Sequence, residues 1–133
     1  MIIAIDFDGT IVEHRYPEIG RVIPNSFKVL KKLKADGHIL LLWTYRSGEE
    51  LEKAVNYCKK HGVEFHAVNN NLCDEEFDMT YSRKIYADLY IDDRNINGLP
   101  DWNTIYITIR KMMEDAALDT KSLFKTEGTW NNG

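Results

Sequence analysis

Apolar residues in this chain gather into short runs set apart by longer polar stretches. Ile2–Ile5 and Ile39–Trp43 are continuous apolar runs, the pattern of strands buried on both faces in a parallel sheet. Phe65–Val68, Leu89–Ile91 and Thr104–Ile107 read as three further strands. Between them the period lengthens to that of helices. Asn25 or Ser26 can cap a helix through Ala35, with Phe27, Leu30 and Leu33 on its inner face and Gly37 closing it. Gly48–His61 predicts a second helix, with Leu51, Val55 and Cys58 on one stripe and Gly62 as its stop. A short helical turn at Ser82–Ala87 and a helix near Arg110–Leu118 complete the set. Residues Ile11–Pro24 keep no steady period and carry Pro17, Gly20 and Pro24, which predicts a hairpin flap returning over the end of the first strand. Asn69–Tyr81 is an Asn- and Asp-rich connection with no assigned element. From Asp119 onward periodicity weakens, and only partial order is expected of the tail.

Strands alternating with helices imply an α/β fold: a mostly parallel five-stranded sheet with helices on both faces, a Rossmann-like three-layer sandwich. At 133 residues the chain fits one domain. Its net charge of −4 gives no long-range attraction to nucleic acid or anionic membranes, although a nucleic acid is not excluded as a substrate. Cys58 and Cys73 are too few for a disulfide framework, and Cys58 reads as a core thiol. The apolar runs are too short to span a bilayer, and no basic segment precedes an apolar core at the N-terminus. A cytoplasmic location is expected.

The chemistry concentrates where strands end. Asp6 and Asp8 fall on one side of the first strand and Phe7 on the other, and Gly9 lets the backbone turn away. Adjacent carboxylates repel unless a cation lies between them or one keeps a proton. The pair is therefore a metal site, an acid/base pair, or both. Thr44 ends the second strand and Asp92–Asp93 the fourth; if the first strand lies between those two, all meet in one crevice. Arg46 lies on the same rim, where it can fork onto a phosphate or pair with Glu49 or Glu50. His14, Arg15, Tyr16 and Arg21 of the flap are placed either to contact substrate or to face water. Trp43, Tyr45 and Tyr57 read as packing, and His38, His61 and His66 lack metal-ligand spacing.

The pentapeptide DFDGT at Asp6–Thr10 resembles the nucleophile motif of the haloacid dehalogenase-like phosphohydrolases. LLLWT, ending at Thr44, resembles their second motif. Lys84, with Arg83 as a competing cation, resembles the third, and YIDD, ending at Asp93, the fourth. The resemblance implies a magnesium-dependent phosphomonoester hydrolase. Asp6 would be the nucleophile that becomes an aspartyl phosphate. Asp8 would serve as general acid and base, giving its backbone carbonyl to the metal. Mg2+ would be shared by Asp6 and Asp92, with Asp93 orienting metal-bound water. Thr44 and Lys84 would bind phosphoryl oxygens. The gaps between motifs leave no room for a cap domain, so an open site is expected. Its substrate would be a phosphorylated small molecule or an exposed phosphate on a macromolecule. The alternative is a non-enzymatic phosphoacceptor or phosphate-binding module, or a catalytically degenerate relative. Receiver domains also combine acids, a Thr and a Lys, but their acceptor follows the third strand, where this chain has Asn69 after Val68.

Overall fold

Four of the apolar runs become the strands of one parallel sheet in a computed structural model: β1 (Ile2–Ile5), β2 (Ile39–Leu42), β3 (Ala67–Val68) and β4 (Leu89–Ile91). Helices α1 (Ser26–Ala35), α2 (Gly48–Lys60) and α3 (Trp102–Glu127) complete a small α/β protein. The structure describes residues 1–72 and 78–127, without the side chains of 122–127; Cys73 and the chain end from 128 lie outside the described residues. It divides into two units, one of residues 1–100 and one that begins at Asp101.

In the first unit the strand order is β3-β2-β1-β4, so β1 lies between β2 and β4. Ile3, Ala4 and Ile5 point alternately to the two faces of the sheet and are all buried, which is why this strand is apolar throughout. Ile3 stands opposite Leu40 and Ile5 opposite Leu42, which places these four on one face. Ala4 belongs to the other face, clustered with Leu41, Ala67 and Ile85. Each fully buried Ile or Leu contributes about 1.5–3 kcal/mol relative to exposure. Aromatic contacts join the elements beyond the first face. Phe7 meets Tyr57 of α2 edge-on at 6.4 Å, and Phe27 of α1 stacks on His61, just after α2, at 4.4 Å. Cys58 is wholly buried, and burial pushes its thiol up to about 12, as suits an inert core residue.

Both crossover helices stop where glycine permits a left-handed residue. Gly37 donates to the Lys34 carbonyl at 3.1 Å and His38 to Leu33 at 3.1 Å, a Schellman closure of α1. Gly62 and Val63 repeat it on α2. The excursion after β1 is the expected flap. Val12 bridges Val22 in antiparallel fashion, Glu13 N–H donates to the Arg21 carbonyl at 2.7 Å, and Ile23 N–H donates to Ile11 at 2.9 Å.

Four expectations need correction. The five-stranded sheet has four strands, because Thr104–Ile107 lies inside α3. Its β-branched residues suggested a strand, but local capping favours the helix: Asp101 accepts from the Thr104 amide at 3.0 Å and its hydroxyl at 2.6 Å. Trp102, Ile105 and Ile109 also recur at helical spacing. That helix continues through Glu127, well past Asp119. Ser82–Ala87 forms no helical turn. The Asn71 amide instead bonds the Tyr86 N–H at 2.9 Å and C=O at 2.7 Å, holding backbone groups that a helix would use internally. β3 is reduced to Ala67–Val68, preceded by a ladder-like bond from His66 N–H to the Leu40 carbonyl at 2.8 Å.

Candidate functional site

The sheet order sets the place of the site. Connections from β1 to β2 to β3 step one way, and the chain then returns to the far side of β1 for β4. The reversal between β1 and β4 opens a crevice beyond their carboxyl ends. Asp6 leaves β1 there, its N–H donating to the Ile91 carbonyl of β4 at 3.0 Å. Asp92 and Asp93 follow β4 directly. One carboxylate oxygen from each of Asp6, Asp92 and Asp93 lies within 4.8 Å of the other two. Residues more than eighty positions apart thus supply one acidic cluster.

Thr10 ties the cluster together. Fully buried, its Oγ1 lies 3.1 Å from Asp6 Oδ2 and 3.3 Å from Asp93 Oδ1, and it accepts the Asp93 N–H at 3.0 Å. Gly9 makes the close approach possible. A Cβ there would lie 2.2 Å from Asp93 Oδ2, and its φ of +85° is in the region that favours glycine. The cost of crowding appears on Asp6, whose carboxyl is pushed up to about 8. Burial is the largest cause, followed by the Asp92 charge and a hydrogen bond with Asp93; the Thr10 hydroxyl and a backbone N–H oppose it. Three oxygen donors in this strained state suit a hard divalent cation, which binds carboxylates at about 2.0–2.6 Å and removes the repulsion.

Asp8 lines the same crevice but is not in the cluster. Both its oxygens face Arg46, with Nε–Oδ2 at 2.7 Å and Nη2–Oδ1 at 2.8 Å. Arg46 is 1% exposed, and all five of its N–H donors have acceptors in the protein. Beyond Asp8 these are the carbonyls of Pro17 at 3.1 Å, Glu18 at 2.8 Å and Glu50 at 3.3 Å. Its guanidinium carbon also lies 5.2 Å from the Phe7 ring centroid and 5.1 Å from that of Tyr16. The fork that sequence reasoning offered to a phosphate or to Glu49 or Glu50 therefore closes on Asp8 and the flap, with Glu50 Oε2 a looser neighbour at 3.8 Å.

Thr44 reaches the crevice as expected. Asn69, at φ 55°, accepts the Thr44 N–H at 2.8 Å, and Thr44 Oγ1 accepts the Arg46 N–H at 3.2 Å. Asn69 gave only a weak sequence signal: asparagine tolerates the left-handed region and stands one residue after a strand. Lys84 does not line the acidic crevice. It lines a second recess with Arg83 and Tyr86, which meets the first at Trp43, and its Nζ lies 4.9 Å from the Tyr90 ring. The crevice has Arg94 instead, missed although it directly follows the acidic pair. Its cavity of about 610 Å³ is also lined by His14, Tyr16, Trp43 and Tyr45.

No family model and no curated protein matches this chain. A solved structure does: a conserved protein from Bacteroides thetaiotaomicron superposes with a TM-score of 0.80 and 50% identity, over 84% of this chain and 91% of that one. The chain belongs to that protein's family. Identity at this level over most of both chains means the family shares the fold, whereas chemistry must be argued from the site. Among the described residues, no helix of this member is long and apolar enough to cross a membrane.

Proposed function

We propose that this protein is a magnesium-dependent phosphomonoester hydrolase, a capless member of the haloacid dehalogenase-like class with a Rossmann-like core. The observation that carries the reading is the convergence of Asp6, Asp92 and Asp93 oxygens within 4.8 Å at the β1/β4 reversal. These three residues would hold Mg2+, which when bound neutralises charge on the phosphoryl group and the carboxylates. Asp6 attacks phosphorus and the bond to the leaving oxygen breaks, giving an aspartyl phosphate. Asp8 lies beside it to exchange a proton with the leaving group and then with water. Thr44 donates its hydroxyl to a phosphoryl oxygen, and Arg94 supplies the positive charge first assigned to Lys84. Arg46 also lines the crevice but spends its donors on Asp8 and backbone carbonyls, and Lys84 lines the neighbouring recess.

The decisive assay is phosphate release from p-nitrophenyl phosphate. Release should require Mg2+, cease with EDTA, and fall at least about a thousandfold in Asp6→Asn. Equal turnover by Asp6→Asn would sink the reading.

One observation favours the phosphoacceptor alternative. The Asp8 carboxylate is engaged at both oxygens by a buried guanidinium, which would slow its service to an attacking water. Phosphoenzyme lifetime separates the two: rapid decay marks a hydrolase, and an aspartyl phosphate that persists for minutes marks an acceptor module.

A further inference from the structure

Sequence reading assigned Trp43 and Tyr45 to packing, yet both line the crevice that contains the acidic cluster, with Tyr16 of the flap beside them. Tyr45 is 96% exposed and Tyr16 46% exposed. Neither ring is spent on the core.

Two of the three rings are held in place. The Trp43 backbone N–H donates to the Ile5 carbonyl at 2.8 Å, and its side chain packs on the Ala4–Leu41 cluster, which holds the indole against the sheet. Tyr16 has its ring on the Arg46 guanidinium, and Arg46 also holds the carbonyls of the next two residues, Pro17 and Glu18. Preorganised aromatic groups beside a polar centre are the ordinary build of a small-molecule site, and about 300–1,000 Å³ is the usual volume range. This cavity, at about 610 Å³, has room beyond a phosphate alone. A bare phosphoryl group would use the aspartates, Thr44 and Arg94 and would leave the rings in water. His14 adds a further polar group to the lining, suited to a ring heteroatom or hydroxyl.

We infer that the alcohol part of the substrate carries a planar ring that stacks among Tyr16, Trp43 and Tyr45, making the substrate a ring-bearing phosphomonoester. Nucleoside 5′-monophosphates and phenyl phosphate share this chemistry; ribose 5-phosphate and glycerol phosphate lack it. The inference rests on the phosphatase reading for the placement of the phosphate, while its ring preference is measured independently.

Tyr45 projects into solvent, so Tyr45→Ala should not disturb folding, which a melting curve verifies. Steady-state kinetics should give nucleoside 5′-monophosphate or phenyl phosphate a KM at least about fivefold below that of ribose 5-phosphate. Whichever ring-bearing ester has the lower KM identifies the source of the ring. Tyr45→Ala should raise KM for that ester at least about fivefold more than for ribose 5-phosphate, with kcat ratios little changed. Equal KM values across the panel, or an equal effect of Tyr45→Ala on ring-bearing and ring-free esters, would overturn the inference. Binding to Asp6→Asn with Mg2+, read as quenching of tryptophan emission that Trp43→Leu removes, separates the two readings. Ring-selective binding without turnover of any ester keeps the stacking wall and rejects the phosphatase. Turnover without ring selectivity does the opposite.

Discussion

Gly9 shows how narrow the tolerances are at the scale of one residue. Its positive φ and its 2.2 Å clearance to Asp93 Oδ2 act together, so a methyl group there meets both backbone strain and a carboxylate locked by Thr10. Gly9→Ala should therefore destabilise the protein by about 1–3 kcal/mol, and weaken Mg2+ binding as Asp93 is displaced. Chemical denaturation and a metal titration test the two effects separately; unchanged values in both would contradict the geometry. Thr10 illustrates what single-residue reading missed. In the sequence it is the end of a motif, whereas in the structure its one oxygen touches two of the three carboxylates.

At the scale of elements, the flap and the start of α2 are joined through Arg46. A guanidinium with all donors satisfied binds a strand end, three carbonyls and two aromatic faces at once. Arg46→Ala leaves the Asp8 carboxylate and the flap carbonyls without their donor, and should cost about 3–5 kcal/mol. Arg46→Lys keeps the charge but loses the fork, so it should recover only part of that stability. Urea unfolding measures both, and limited proteolysis should cut within 13–21 sooner in the Ala variant. Equal stability of wild type and Arg46→Ala would show that the latch carries no load. Helices α1 and α2 were legible in the sequence because helical period and glycine stops are local, whereas the expected cap failed: Asn25 makes no side-chain capping bond and the Ser26 hydroxyl donates to the Ile11 carbonyl. The Thr104–Ile107 stretch was misread because its β-branched content outweighed the Asp101 cap, a side-chain bond that propensity does not register.

For the whole molecule, the proposed metal centre predicts a stability that depends on pH and on Mg2+. The Asp6 carboxyl is raised from 3.8 to about 8. An acid raised in the folded state favours folding while it keeps its proton, and that contribution disappears as pH rises from about 4 through about 8. With EDTA present, wild type should lose more stability than Asp6→Asn between about pH 5 and about pH 9 in urea titrations. Saturating Mg2+ should cancel the difference, and at a hundred times Kd it should raise the melting temperature by about 10 °C. Parallel pH profiles for the two proteins would refute the raised carboxyl. A shift that Mg2+ also produces in Asp92→Asn would refute the shared cation.

The sequence by itself determined the strands β1, β2 and β4, the crossover helices, and the acidic residues at the strand ends. Each of these follows from neighbours along the chain: apolar runs, helical spacing, glycine stops. Only the tertiary structure decided which acids share a centre. Strand order brought Asp92 and Asp93 to Asp6 and left Asp8 to Arg46, while Lys84 fell into a neighbouring recess and Arg94 entered the crevice. Coordination and ion pairing act over a few ångströms in space. Positions separated by eighty residues acquire such distances only when the sheet has formed.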